Sequence, residues 1–391
     1  MTFLALYLII PIIFFLIDTI KETRFLVLFF FLICFLSYDN STDFDFFYTE
    51  FQYYLNGDTS EDMNAKGREA GWMLLMSLFS FEEHGVVIMH SLIMLMTTFT
   101  FYTFSKKLGL LNISVLLYFL LDLVTLHDNI IRQNLANILA MFAFWEALKD
   151  DEVWDSRRIL KILAFVIPAF LFHYSAILII PYCFLVVWFS RVKLNYWVVF
   201  PIVVIAGVIM YTGIVDKTLG VLFFLLSASQ GDLSTYYMNT ILDEDTHAGG
   251  FLNLLMLMLA TVPLLYFTYF RRERYENEKF LRLAVNLTWL VMTWKYLFIS
   301  IVVLTRIADY LIWFAVWGYG YMLMDLYAEF RESLIKRMGL ICMFVIISYN
   351  SYRMIMNYYG ENTYLTIFSE ECADMLLYDR DPENLDELRV R

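Results

Sequence analysis

The chain has few of the residues that build metal cages, redox pairs or sharp turns. Its 391 residues include four cysteines, five histidines and six prolines. Cys34, Cys183, Cys342 and Cys372 show no CxxC spacing, and the first three sit in apolar segments, so they carry no metal or redox signal. There is no GxxxxGK[ST] loop, no GxGxxG after a strand and no HExxH, so the sequence implies no cofactor and no nucleotide-binding domain. Charge is scarce too, at 17% of residues where a soluble domain carries about a quarter. What charge there is leans acidic, with a net −12 that argues against a nucleic-acid partner.

Apolar sequence takes the place of these residues: 60% of the chain is hydrophobic, 19% aromatic, and the mean hydropathy is +0.62. Residues 25–36 read FLVLFFFLICFL, and 85–104 contain no Asp, Glu, Lys or Arg beyond the segment's flanks. Hydrocarbon cannot satisfy free backbone N–H and C=O groups, so such segments must be helices or strands of a closed barrel. Continuous apolarity favours helices, because barrel strands alternate between lipid and lumen. The expected fold is all-α, a polytopic transmembrane bundle of roughly twelve spans at ~20 residues or somewhat fewer each. Residues 1–17 lack a basic n-region and a small-residue cleavage site, and read as a retained first helix. With no internal repeat or linker, 1–352 form one membrane domain, followed by a half-apolar segment and charged tail at 353–391.

The few charges are sorted by loop. Lys21/Arg24, Lys106/Lys107, Lys149 with Arg157/Arg158/Lys161, Arg191/Lys193, the run from Arg271 to Arg282, and Arg331/Lys336/Arg337 fall in alternate connections, which read as cytoplasmic. The loops between them, 38–85 and 214–250, are acidic and read as extracytoplasmic. Within the first, 71–81 (GWMLLMSLFSF) is apolar but too short to span, and is expected to be re-entrant or to lie in the interface.

Polar residues that break this sorting are the candidates for chemistry. Arg132 falls in the first turn of a helix descending from the acidic side, where free N–H groups and the helix dipole favour a phosphate; the alternative is a snorkelling interfacial arginine. Arg306 is expected to open a second descending helix, either gripping the same anion or pairing with Asp309 three residues on. His173, in Phe172-His173-Tyr174-Ser175, sits at an outer hairpin turn, where a neutral imidazole is either a general base or a packing residue. In the first outer loop, Asp43 and Asp45 interleave with aromatics such as Tyr48, a pattern suited to a glycan or to simple solvation. Glu69, just before the half-helix, is a further carboxylate candidate.

The ordered set Tyr38-Asp39…Asp43…Tyr48, Glu69-Ala70-Gly71-Trp72, Ile131-Arg132-Gln133-Asn134, Phe172-His173-Tyr174-Ser175-Ala176 and Thr305-Arg306…Tyr310 resembles the EpsG-like family of bacterial Wzy-type polysaccharide polymerases. The resemblance implies glycosyl transfer between two lipid-linked oligosaccharides at the outer face of the bacterial cytoplasmic membrane, in capsule, O-antigen or exopolysaccharide synthesis. The growing glycan would leave undecaprenyl pyrophosphate and join a newly flipped repeat unit. Arg132 and Arg306 would then serve the pyrophosphate, His173 with Asp43 or Glu69 the acceptor hydroxyl, and Gln133, Tyr48, Asp45 and Tyr310 would contact substrate. A chain-length regulator or a flippase would be a natural partner. Two other functions remain open on the residues: a flippase or transporter of the same glycans, and a membrane acyltransferase acting on sugars.

Overall fold

A computed structural model describes residues 5–21, 24–36, 44–55, 69–81, 85–121, 131–149, 155–212, 251–298, 302–328 and 334–359. Among these residues every regular element is a helix. A π turn (Ala5–Ile9) leads into α1 (Ile10–Lys21), followed by α2 (Phe25–Leu36), α3 (Phe44–Leu55), α4 (Ala70–Phe79), α5 (Gly85–Lys107), α6 (Leu111–Leu121) and α7 (Ile131–Leu148). Next come α8 (Ser156–Phe172), a 3-10 turn (Tyr174–Leu178), α9 (Ile179–Arg191), α10 (Tyr196–Thr212), α11 (Phe251–Leu259), α12 (Val262–Tyr269) and the short α13 (Arg272–Asn277). The remainder is α14 (Lys279–Leu297), α15 (Val302–Asp309), α16 (Ile312–Ala328) and α17 (Leu334–Tyr359).

Four segments are long and apolar enough to cross a bilayer: Gly85–Lys107, Tyr174–Arg191, Leu252–Tyr269 and Arg337–Met356. Five further apolar helices are shorter. The sequence suggests roughly twelve spans, and the difference has a physical cause. The central helices α7 and α14 carry Gln133, Asn134, Asn137, Asn286 and Thr288, all buried against other helices rather than facing outward. Polar side chains packed between helices lower a segment's hydropathy without meeting lipid. The outer helices do the reverse: Leu28, Leu160, Ile167, Val198 and Ile205 are exposed on the rim of the bundle. An apolar surface this extensive is a liability in water and the natural state in lipid. The protein is a helical membrane protein.

Close packing in the centre depends on small residues. A Cβ added at Gly318 of α16 would lie 2.0 Å from Thr288 Oγ1 and 2.8 Å from the Ala284 carbonyl of α14, so the two backbones meet across a small-xxx-small face. Trp317 beside it donates its indole N–H to Ser105 Oγ at 2.9 Å, tying α16 to α5. Phe101 packs its ring on Tyr118 at 4.6 Å, joining α5 to α6.

The two ends of the bundle differ in chemistry. Helices α7 and α8 form an antiparallel hairpin, and Arg158 reaches back to the last turn of α7, donating to the carbonyls of Glu146 (3.1 Å) and Ala147 (2.7 Å). Lys279 Nζ caps Leu148 O at 2.9 Å, and Arg282 Nε caps Ser190 O of α9 at 2.7 Å. Basic side chains thus satisfy the orphan carbonyls of helix C-termini and oppose the negative end of their dipoles. Arg274 pairs with Asp325 and Glu278 at the same end. The first turn of α7 lies about 27 Å away, at 1.5 Å per residue over its 18 residues.

The segment read from sequence as an open acidic loop contains α3, and the expected half-helix is α4. On α4, Trp72 and Met76 are buried while Leu74, Leu78 and Phe81 just beyond it are exposed, the two-faced pattern of an interfacial helix.

Candidate active site

Glu69 is where the separate elements converge. It precedes α4 in extended conformation, and its side chain makes no capping bond to that helix. Its carboxylate turns inward, with Oε2 2.7 Å from Arg132 Nη1 and Oε1 3.2 Å from His173 Nδ1. The Tyr174 N–H also points at Oε1, at 3.4 Å. Glu69 is 4% exposed, whereas the Arg132 and His173 side chains each keep 19% of their surface open, so the carboxylate backs the site and the two cation-forming groups front it.

Local sequence explains why these groups meet. Gly71 has no Cβ, and one added there would lie 2.8 Å from the Leu171 carbonyl in the last turn of α8. That close approach brings the start of α4 alongside His173, the extended residue that caps α8. The His173 backbone is held on both sides: its N–H donates to Ala169 O at 2.9 Å and its C=O accepts from Ala176 N at 2.9 Å. Behind Arg132, a satellite apolar core of Phe51, Trp72, Met76, Val86 and Ile131 joins α3, α4, α5 and α7.

The site extends to α15 through Gln133, whose amide donates to Arg306 O at 2.7 Å. Trp294 Nε1 donates to Leu304 O at 2.7 Å, and Tyr182 OH to Ile307 O at 2.9 Å. Helix α15 is short and breaks at Tyr310 and Leu311 before α16 resumes, so the Gln133 and Tyr182 side chains of α7 and α9 satisfy last-turn carbonyls that the broken helix would otherwise leave bare. Tyr310 is buried and shares a 2.9 Å hydrogen bond with Ser175 Oγ, two residues after His173. The buried Asp309 forms an ion pair at 2.8 Å with the half-buried Lys295.

Burial pushes the Glu69 carboxyl up, but the His173 hydrogen bond and the Arg132 charge outweigh it and hold the group at about 2, down from 4.5. Glu69 therefore remains a carboxylate at neutral pH. With the ring proton on Nδ1 donated to Glu69, an assignment made from the hydrogen-bond network, His173 keeps its Nε2 lone pair for a proton acceptor role.

The sequence-derived candidates thus separate into groups. Glu69, Arg132 and His173 come together directly, Gln133 bonds to the backbone of Arg306, and Tyr310 joins through Ser175. Arg306 lies in the last turn of α15 rather than opening a descending helix, because the chain is already helical from Val302. Asp309, weighed from sequence as the partner of Arg306, holds Lys295. Tyr48 is 5% exposed in the satellite core, so its ring packs against protein rather than offering a sugar platform. Asp45 lies on α3 with its side chain outside the described residues, and Asp43 lies outside them altogether.

Sequence reasoning passed over Lys295, Ser175, Tyr182 and Glu50. Lys295, inside Trp289-Leu290-Val291-Met292-Thr293-Trp294-Lys295, was detectable as a lone cation near the non-basic end of an apolar run. Glu50 was one acidic residue among many in its segment, yet it is buried and accepts the Trp72 indole N–H at 3.2 Å. Among the described residues no group of His, Cys, Asp and Glu is arranged to hold a metal ion.

Fold and site together define a polytopic helical membrane protein with a cation-rich polar cluster at the end remote from its basic loops. Its family follows from a family model that matches residues 22–367: the chain belongs to the EpsG family, membrane proteins of polysaccharide biosynthesis. Comparison with curated proteins and with solved structures finds no match in either.

Proposed function

We propose that this protein is a glycosyltransferase-type polymerase that joins undecaprenyl-pyrophosphate-linked oligosaccharide repeat units at the extracytoplasmic face of the bacterial cytoplasmic membrane. The observation that carries the reading is the Glu69 carboxylate shared between Arg132 and His173. The acceptor hydroxyl oxygen attacks the anomeric carbon of the donor glycan, and the bond from that carbon to the pyrophosphate breaks. The electron pair leaves with the pyrophosphate, whose growing charge Arg132 and Arg306 stabilise. The hydroxyl proton passes to Nε2 of His173. Glu69 does not serve as the base: both of its oxygens are engaged and its low pKa makes it a weak acceptor. It is a positioning residue, fixing the imidazole tautomer and the guanidinium. Roughly twelve spans remain our reading of the topology, from the charge alternation together with the shorter apolar helices.

A flippase would line a path at mid-membrane depth with such groups, whereas these gather at one end. The test is glycan size analysis in a deletion strain complemented with wild type, Arg132→Ala, His173→Ala or His173→Gln. The expected outcome is long polymer with wild type and single repeats left on the carrier lipid with the variants. Full-length polymer from either Arg132→Ala or both His173 variants would sink the assignment, and repeats stalled on the inner leaflet would favour the flippase.

A further inference from the structure

At the other end of the bundle, remote from Glu69, a cleft of about 720 Å³ lies among α1, α6, α16 and α17. Two of its walls are apolar helix faces. Ile12, Phe15 and Leu16 line it from α1 at spacings of three and four residues, and Ile341, Phe344 and Val345 line it from α17. Leu16, Ile341 and Val345 are each more than half exposed, so the cleft opens on the outer, lipid-facing surface. Helix α17 packs on α6, α16 and the N-terminal π turn, and this leaves its flank beside α1 as a wall of the cleft.

Polar groups line it too, from the end of the bundle that carries the basic loops. Asp18 lies in the last turn of α1, Arg24 in the α1–α2 turn and Asn112 in the first turn of α6, next to Gly109 in the turn that follows Lys106 and Lys107. Asp18 is 2% exposed, and its two oxygens accept the Phe25 and Leu26 N–H groups at 2.9 Å each. Its charge is thus largely spent on starting α2, while Arg24 is exposed. The result is a long apolar slot ending at a cation, the complement of a fatty chain ending in a phosphate.

We propose that this cleft is a phospholipid site, holding one acyl chain between α1 and α17 with the lipid phosphate on Arg24. The volume is in the range of a small-molecule site, enough for one chain of a lipid whose remainder stays in the bilayer. The walls supply no network of hydrogen-bonding groups of the kind a peptide backbone needs. The bound lipid fastens α17 to the N-terminal helices as a wedge between them. Because the cleft is remote from the Glu69 cluster, the assignment stands independently of the polymerase reading.

The test uses the full chain purified in mild detergent, with native mass spectrometry to read bound lipid and thermal unfolding with and without added phosphatidylglycerol or phosphatidylethanolamine. Four proteins are compared: wild type, Arg24→Ala, Leu16→Trp to fill the cleft, and Leu28→Trp on an exposed face of α2 outside it. Wild type and Leu28→Trp should keep a phospholipid adduct and gain thermal stability from added phospholipid. Arg24→Ala and Leu16→Trp should lose most of both. Since Arg24 is exposed, its variant tests the idea even if Leu16→Trp fails to fold. Equal lipid retention in wild type and Arg24→Ala would overturn the proposal, and so would a prenyl phosphate adduct in place of the phospholipid.

Discussion

Glu69 shows how much one residue can decide when it is buried between two partners. In Glu69→Gln the charge that holds Arg132 is lost, and the single amide oxygen cannot serve both Arg132 and the His173 Nδ1–H. Polymer synthesis should fall by about 100-fold or more, the scale of losing an oriented general base. Glycan sizing in a complemented deletion strain checks this, and Glu69→Asp, which keeps the charge on a shorter stem, should recover part of the activity. A pH effect follows as well. The folded-state pKa of Glu69 is depressed to about 2 from 4.5, so its contribution to stability is present above pH 4.5 and is lost as pH falls towards about 2. Thermal unfolding of the detergent-solubilised protein should therefore decline more steeply over that acid range in wild type than in Glu69→Gln. The Lys295–Asp309 pair invites a different test. Removing Lys295 alone, as Lys295→Met, leaves Asp309 buried without its partner and should cost about 3–5 kcal/mol, whereas Lys295→Met with Asp309→Leu should regain much of it. Failure of the double variant to recover thermal stability would mean that the two residues do not act as a simple pair.

At the scale of the element, two glycines set helix contacts that no propensity scale would reveal. At Gly71, even one added methyl meets the Leu171 carbonyl, so Gly71→Val should push α4 off α8 and carry Glu69 away from His173. The expected signature is lost polymerisation in a protein that is still inserted and of near-normal thermal stability. At Gly318 the crowding is central. Gly318→Ala should destabilise the α14–α16 contact by about 1–3 kcal/mol, the usual range for overpacking a filled core. Replacing Thr288 with Ser would not restore it, because the Ala284 backbone carbonyl is also in the way. Elements likewise mark where sequence legibility ended. The half-helix was readable because its apolar run is short and bounded, whereas α3 was hidden: its carboxylates and aromatics read as a solvated loop. Tyr48 and Phe51 acquire a buried face only because α4, α5 and α7 arrive from elsewhere in the chain. The break between α15 and α16 was equally hidden, since no proline or glycine marks Tyr310 and Leu311; side chains of two other helices make it tolerable.

For the whole molecule the testable quantity is sidedness. In a background with the exposed Cys342 and with Cys372 both replaced by Ser, Tyr174→Cys should react with a membrane-impermeant maleimide in intact cells, and Lys193→Cys only after permeabilisation. Both positions are well exposed, one beside His173 and the other among the basic loops. The reverse pattern would put the candidate site on the cytoplasmic face and end the reading that it receives a flipped, lipid-linked substrate. The basic loops do more than orient the chain. Arg158, Lys279 and Arg282 sit on helix C-terminal carbonyls, so the same residues that mark one side of the membrane also close the ends of the helices there.

The sequence by itself determined that the protein is helical and membrane-embedded, and which end of it is basic. Those properties are sums over many residues, and hydrocarbon permits few alternatives to a helix. It also picked out Glu69, Arg132 and His173 one at a time, because polar groups at the edges of apolar runs need a reason to be there. Only the tertiary structure decided that these three share one carboxylate, that Asp309 answers to Lys295, and that Tyr48 faces protein. Glu69 lies 63 residues from Arg132 and 104 from His173. Contacts over such separations are set by how helices pack, through close approaches such as that at Gly71, and local sequence carries no record of which helix will arrive.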